Sequence, residues 1–111
     1  MNERELDRVW KALSDKSRRR ILDLLGERPH TTGELAARFR TSRFAVMKHL
    51  AVLERARLVL VERRGRQRWN HLNAAPIQQI YERWISPHQA RWAASLLRLK
   101  RTVEKRREND D

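Results

Sequence analysis

Apolar positions along this chain fall into short stripes whose spacing changes from helical to alternating and back. Leu6, Val9, Trp10 and Leu13 follow i, i+3, i+4, i+7 spacing and predict a first amphipathic helix. A second helix, capped by Ser14 or Ser17, buries Ile21, Leu22, Leu24 and Leu25 and is expected to end at Gly26 in the left-handed conformation. Pro29 holds the chain extended before the next start signal, Thr31-Thr32-Gly33-Glu34. This is a capping box, in which Thr31 bonds forward and Glu34 reaches back. A short helix burying Leu35, Ala36 and Phe39 follows, and Arg40 and Thr41 make a turn. Ser42 then caps a fourth helix with Val46, Leu50 and Leu53 on its inner stripe.

Leu58–Val61 is a β-branched run too short for a helix. Arg63-Arg64-Gly65-Arg66 supplies a glycine-bearing turn, and Gln67–Leu72 reads as the returning strand. Pro76 opens a fifth helix with Ile77, Ile80, Tyr81 and Trp84 on one stripe, and Ser86-Pro87 interrupts it. The last helix runs from about His88 to Arg107. Its Trp92, Leu96, Leu99 and Val103 alternate spacings of four and three, a short coiled-coil-like seam. The polar stretch 104–111 is expected to fray. No internal repeat or linker divides the chain, and 111 residues give room for one domain with one modest core.

Charge changes this picture from a small helical domain to one with a polyanionic partner. Lys and Arg number 26 against 14 Asp and Glu, a formal charge of +12, and only five of the 26 are Lys. Arg offers a planar fork that suits phosphate and the guanine edge. No apolar run approaches the roughly 20 residues of a membrane span, so no membrane partner is expected. The N-terminus lacks the order of a signal peptide. Without Cys there is neither a disulfide nor a thiolate site, which fits a reducing cytoplasm. An enzyme has no support, because the chain carries no Gly-rich phosphate loop, no nucleophile with a paired base and no carboxylate–His cluster.

The order helix, tight turn, helix, hairpin places the candidate chemistry on Thr32–Leu53. In a helix-turn-helix the second helix enters the major groove with its N-terminal residues leading. Here it begins at Ser42 and directs Arg43, Phe44, Met47 and Lys48 outward, with Thr32 and His49 as further candidate contacts. Arg43 can fork onto guanine or clamp a phosphate, Lys48 suits phosphate, and Phe44 and Met47 suit a thymine methyl. The hairpin adds Arg63, Arg64, Arg66 and Arg68, able to follow the backbone or enter a narrow minor groove. Arg18, Arg19 and Arg20 can join the same basic surface.

Taken together, these residues resemble the ArsR-type winged-helix repressors of bacteria. Leu13–Leu25 looks like the opening motif of that family. Glu34–Phe39 followed by Ser42–Leu50 looks like its helix-turn-helix, including the His49-Leu50 pair, and Leu53–Ala56 with Gly65-Arg66 looks like the lead into the wing and its tip. The resemblance covers about residues 5–100. It implies a mainly α winged helix-turn-helix fold of about five to six helices with a small β-hairpin, acting as a dimer on double-stranded DNA with recognition helices roughly 34–36 Å apart. Residues 1–107 would form the single domain, with dimerisation helices at 3–13 and 76–107 and a polar tail at 108–111. Leu6, Val9, Trp10, Trp84, Trp92, Leu96, Leu99 and Val103 are the candidate interface residues; a small-molecule pocket around Trp84 and Trp92 is their alternative use. The implied setting is bacterial, cytoplasmic and nucleoid-associated.

Departures from the family pattern bear on operator choice and sensing. The family usually has Pro at the position of Phe44, a small polar residue at that of Met47 and Gly at that of Arg57. Arg57 is therefore expected to tolerate a left-handed turn at a cost of about 1 kcal/mol. The family's metal ligands are missing: Glu34–Arg38 contains no soft ligand, Gln78, Gln79 and Glu82 are all the 77–84 helix offers, and the four His show no ligand spacing. The chain is closest in pattern to a cysteine-free, tryptophan-rich branch, with no metal or cofactor and with a small-molecule or protein effector left open. The remaining alternative is a non-specific nucleoid or RNA-binding protein, which would bind operator and random DNA nearly equally.

Overall fold

Short polar side chains start the helices of the structure, a computed structural model that describes residues 1–109. Asn2 Oδ1 accepts from the Glu5 backbone N–H at 2.8 Å and opens α1 (Glu3–Leu13). Asp15 opens α2 (Lys16–Glu27), accepting from Arg18 N–H at 3.1 Å. The cap expected at Ser14 or Ser17 thus falls between them. Ser14 is still in a helical conformation, and its hydroxyl donates to the Lys11 carbonyl at 2.7 Å, so it closes α1 instead. Thr31 and Glu34 form the capping box of α3 (Thr32–Arg38), and Ser42 caps α4 (Arg43–Arg55) through Ala45 N–H at 3.1 Å.

Gly26 does not end its helix. α2 continues through Glu27 and leaves by an extended Arg28 (φ −169°), because the chain passes directly into a strand and needs no left-handed reversal. That strand, β1 (His30–Thr31), is too short to show a period in the sequence. It pairs with β3 (Gln67–Leu72), which also pairs with β2 (Val59–Arg64), giving an antiparallel sheet of order β1-β3-β2. Arg64 faces Gln67, so the hairpin turn is only Gly65-Arg66, with Gly65 at φ 61° in the first turn position that a II′ turn reserves for glycine. The expected four-residue turn is shorter because Arg63 and Arg64 are drawn into the ladder.

α4 ends in a Schellman closure. Leu58 N–H reaches the Leu53 carbonyl at 3.0 Å and Arg57 N–H the Glu54 carbonyl at 2.9 Å, with Arg57 at φ 60° as anticipated. The first compact unit, Met1–Pro76, has its core here. Val46, Leu50 and Leu53 of α4 meet Ile21 and Leu25 of α2, Leu35 of α3 and Leu58, all nearly or fully buried. Leu6 and Val9 of α1 join them at 5% and 1% exposure, which corrects their place among the interface residues: the protomer's own core uses them. Ala36 and Phe39 are only half-buried.

The second unit begins at Ile77. The chain enters it along α5 (Ala75–Trp84), whose first N–H donates to Asn73 Oδ1 at 3.2 Å, so Pro76 is its second residue. A single 3-10 turn, Ser86–His88, separates α5 from α6 (Gln89–Asn109). Residues 104–109 therefore continue the helix where fraying was expected, and the expectation for 110 and 111 lies outside the described residues. No residue of α6 is buried; Trp92, Leu96, Leu99 and Val103 are 62%, 64%, 61% and 55% exposed.

Candidate nucleic-acid interface

The tight turn between α3 and α4 makes α4 the second helix of a helix-turn-helix, and local chemistry fixes how that helix is held. Arg18 is the central strut. Its guanidinium donates to the Ala12 carbonyl at 2.9 Å and the Lys11 carbonyl at 2.8 Å, satisfying the open end of α1. Its remaining nitrogen approaches Nδ1 of His49 at 3.3 Å. Because arginine is always a donor, Nδ1 of His49 is the acceptor in this contact. His49 thus ties α4 to α2. Asp15 lies beside the pair, 3.9 Å from His49, and the Arg18 N–H it accepts holds its carboxyl below the usual range. Arg19 donates to the Leu13 carbonyl at 2.8 Å. Arg20 stacks on Phe39 at 4.9 Å. The arginine triplet therefore works largely within the fold, a role invisible in sequence because its acceptors are carbonyls of the preceding helix.

With one face of α4 so fixed, Arg43, Phe44, Met47 and Lys48 all stand exposed on the other, Phe44 at 66% and Met47 at 45%. Lys48 Nζ lies 4.6 Å from the centre of the Phe44 ring one turn back, a cation–π contact that orients both side chains. Arg43 makes no ion pair or side-chain hydrogen bond among the described residues, so its fork is available. Ser42 spends an acceptor site on its cap yet keeps its O–H to donate. Thr32 is the exception among the expected contacts. It is 2% exposed and its hydroxyl accepts from Asn70 Nδ2 at 3.2 Å, tying α3 to the sheet, so it cannot reach DNA.

The wing divides its four arginines in two. Arg63 and Arg66 are exposed and unpaired among the described residues. Arg64 chelates Glu62 at 2.6 and 3.3 Å and lies 5.1 Å over the Trp69 ring. The Arg64 and His71 contacts keep the Glu62 carboxyl below its ordinary range, and the ion pair raises the Arg64 pKa in turn. Arg68 belongs to the scaffold: it bonds Glu54 of α4 at 2.7 Å with its side chain only 23% exposed, bracing wing against recognition helix. Its expected place among the DNA contacts gives way to that pair, fourteen residues away in sequence.

Among the described residues no three His, Cys, Asp or Glu side chains converge as metal ligands, and no helix is long and apolar enough to cross a membrane. A cavity of about 270 Å³ near Trp92 is lined by Arg91, Trp92, Ser95 and Leu96, all on α6, so Trp84 is not part of it.

Comparison with known proteins agrees with this geometry. A helix-turn-helix domain model matches residues 13–62. An HTH-type transcriptional regulator of Bacillus subtilis is 42% identical over 86 residues, covering 71% of this chain and 94% of that protein. The arsenical resistance operon repressor of Staphylococcus aureus is 33% identical over 82 residues, 74% of this chain and 79% of its own length. Among solved structures, an ArsR-like transcriptional regulator from Rhodococcus sp. RHA1 superimposes with a TM-score of 0.69 at 33% identity, covering 91% of this chain and 92% of that one. With the turn, the recognition helix and the wing all in place, the chain belongs to the ArsR family of winged helix-turn-helix transcriptional regulators and is a DNA-binding protein, not an enzyme.

Proposed function

We propose that the protein is a bacterial, cytoplasmic repressor that binds an inverted-repeat operator as a homodimer. The observation that carries this reading is the division of α4: an inner face locked by Arg18 and the core, and an outer face presenting an unpaired Arg43 beside apolar Phe44 and Met47. An arginine fork next to apolar side chains reads base edges as well as phosphates. The N–H groups at the start of α4 add a phosphate contact, and Arg63 and Arg66 set affinity without sequence choice. Arg64 joins them only by giving up its Glu62 partner.

The dimer rests on the exposed apolar side chains of α6, with Trp84 of α5 at 42% and Trp10 of α1 at 45% exposure as further surfaces. Relatives bearing the name repressor, including one of Bacillus subtilis that is 36% identical over 73 residues, support repression as the outcome of binding. Occupying a promoter excludes other proteins from it, and nothing beyond tight binding is required.

Selecting bound fragments from the source genome with purified protein tests the proposal. An inverted repeat should emerge; fragments without a shared motif would leave a non-specific binder. On the selected operator, Arg43→Ala should lower the preference over random DNA by ten- to a hundredfold, about 1–3 kcal/mol. An equal loss on both DNAs would reassign Arg43 to phosphate. Replacing Arg63 and Arg66 together with Ala should weaken both DNAs alike and reduce the salt slope by about two.

A further inference from the structure

On α1 and the C-terminal half of α4, away from the residues assigned to base reading, Arg8, Lys11 and Arg55 surround a cavity of about 160 Å³ with Val52 as its apolar wall. We propose that this cavity is a phosphate-binding site. All three cations are exposed, none has a side-chain partner among the described residues, and no carboxylate lines the cavity. Three like charges around one space repel one another, and a bound anion relieves that repulsion.

A blander origin would be the helix dipole, since Lys11 and Arg55 lie in the last turns of their helices. The structure argues against it for α1, whose terminal carbonyls are already satisfied by Arg18 and Arg19. Arg8 lies one turn earlier, outside the reach of the helix end, yet faces the same cavity. Size points to the ligand class. At roughly 30 Å³ per water the cavity equals about five waters, which admits one phosphate or diphosphate group. A drug-sized ligand needs about 300 Å³ or more.

Two positional facts separate this site from the others. Arg8 and Trp10 are two residues apart, so they lie about 160° apart around α1, and the cavity is on the flank opposite the exposed tryptophan. Arg55 is seven residues beyond Lys48 and so shares its stripe, about 10 Å further along α4. The phosphate could belong to the DNA backbone flanking the base-reading contacts or to a free phosphorylated small molecule, and the chemistry is the same. The DNA source rests on the proposed function above; the free source does not.

A double variant, Arg8→Gln with Lys11→Gln, distinguishes the two. Its control removes equal charge elsewhere by Arg101→Gln with Lys105→Gln. Each protein, with its fold checked by circular dichroism, is titrated with a random-sequence duplex across salt concentrations and separately with pyrophosphate in calorimetry. A salt slope lowered by about one to two relative to the control assigns the site to DNA phosphate. Saturable pyrophosphate binding by the wild type, weakened about tenfold or more in the double variant alone, assigns it to a free phosphate compound. A double variant matching the control in both titrations overturns the site. Wild-type protein that binds no duplex would sink the proposed function instead, and the pyrophosphate titration would still decide the cavity.

Discussion

Leu50 and Leu96 stand on helical stripes of the same kind, yet one is 1% exposed and the other 64%. In the unit from Met1 to Pro76 every helical stripe finds a partner within the chain. In α6 no residue is buried. The difference is not one of spacing, since both stripes set Leu and Val three and four residues apart and the α6 stripe adds a Trp. A 21-residue helix with an unburied stripe has little to hold it in water beyond its own hydrogen bonds and an exposed Lys100–Glu104 pair at 4.0 Å. Each large apolar side chain gains about 1.5–3 kcal/mol on burial. Two copies of the Trp92–Val103 seam would bring eight of them together, a gain comparable to the ~4–15 kcal/mol that association costs. The first unit thus buries its own stripes, whereas in the proposed homodimer the α6 stripe would be covered by a second copy.

Substitutions can break that contrast, and the largest effect should come from α6. Leu96→Asp should raise the dimer dissociation constant about a thousandfold, because each dimer would bury two unpaired carboxylates. Sedimentation velocity would show monomer, with the circular dichroism of the first unit retained; an unchanged dimer would remove α6 from the interface. Leu53→Ala should do the opposite, costing the first unit about 2–5 kcal/mol in urea unfolding through the cavity it leaves while the intact seam still dimerises.

Trp10 sharpens the comparison, since it shares α1 with the buried Leu6 and Val9 but is 45% exposed. Trp10→Ala should weaken dimerisation about tenfold. If unfolding changes instead, Trp10 belongs with its neighbours. The smallest effect should come from Arg57→Gly, which relieves the positive φ and should stabilise the first unit by about 1 kcal/mol with neither oligomeric state nor DNA affinity altered. Loss of stability would show that the Arg57 side chain matters more than its strained backbone.

Features confined to three or four neighbouring residues were legible in advance. The Thr31–Glu34 capping box, the Ser42 cap, the glycine turn of the wing and the left-handed Arg57 each depend on local geometry, and the structure has all four. Errors arose where a residue had two local uses or a distant partner. Ser14 and Asp15 both suit a cap, and backbone conformation alone chose between them. Thr32 and Arg68 look available for DNA until Asn70 and Glu54, 38 and 14 residues away, engage them. The Arg8–Lys11–Arg55 cluster left only a faint trace, two cations three residues apart on one flank of α1.

By itself the sequence determined the order of the helices and the hairpin, the winged helix-turn-helix class, the polyanionic partner and the outward set Arg43, Phe44, Met47 and Lys48. Periodicity, capping and net charge are properties of neighbours and totals, and they survive without a third dimension. Tertiary structure decided how the cations are shared out. Arg18, Arg19 and Arg68 became struts, Arg64 a clamped pair, and Arg43, Arg63 and Arg66 stayed exposed without a side-chain partner among the described residues. An arginine's role depends on which acceptor comes within about 3 Å of its fork, and only the folded chain brings carbonyls and carboxylates from distant segments that close.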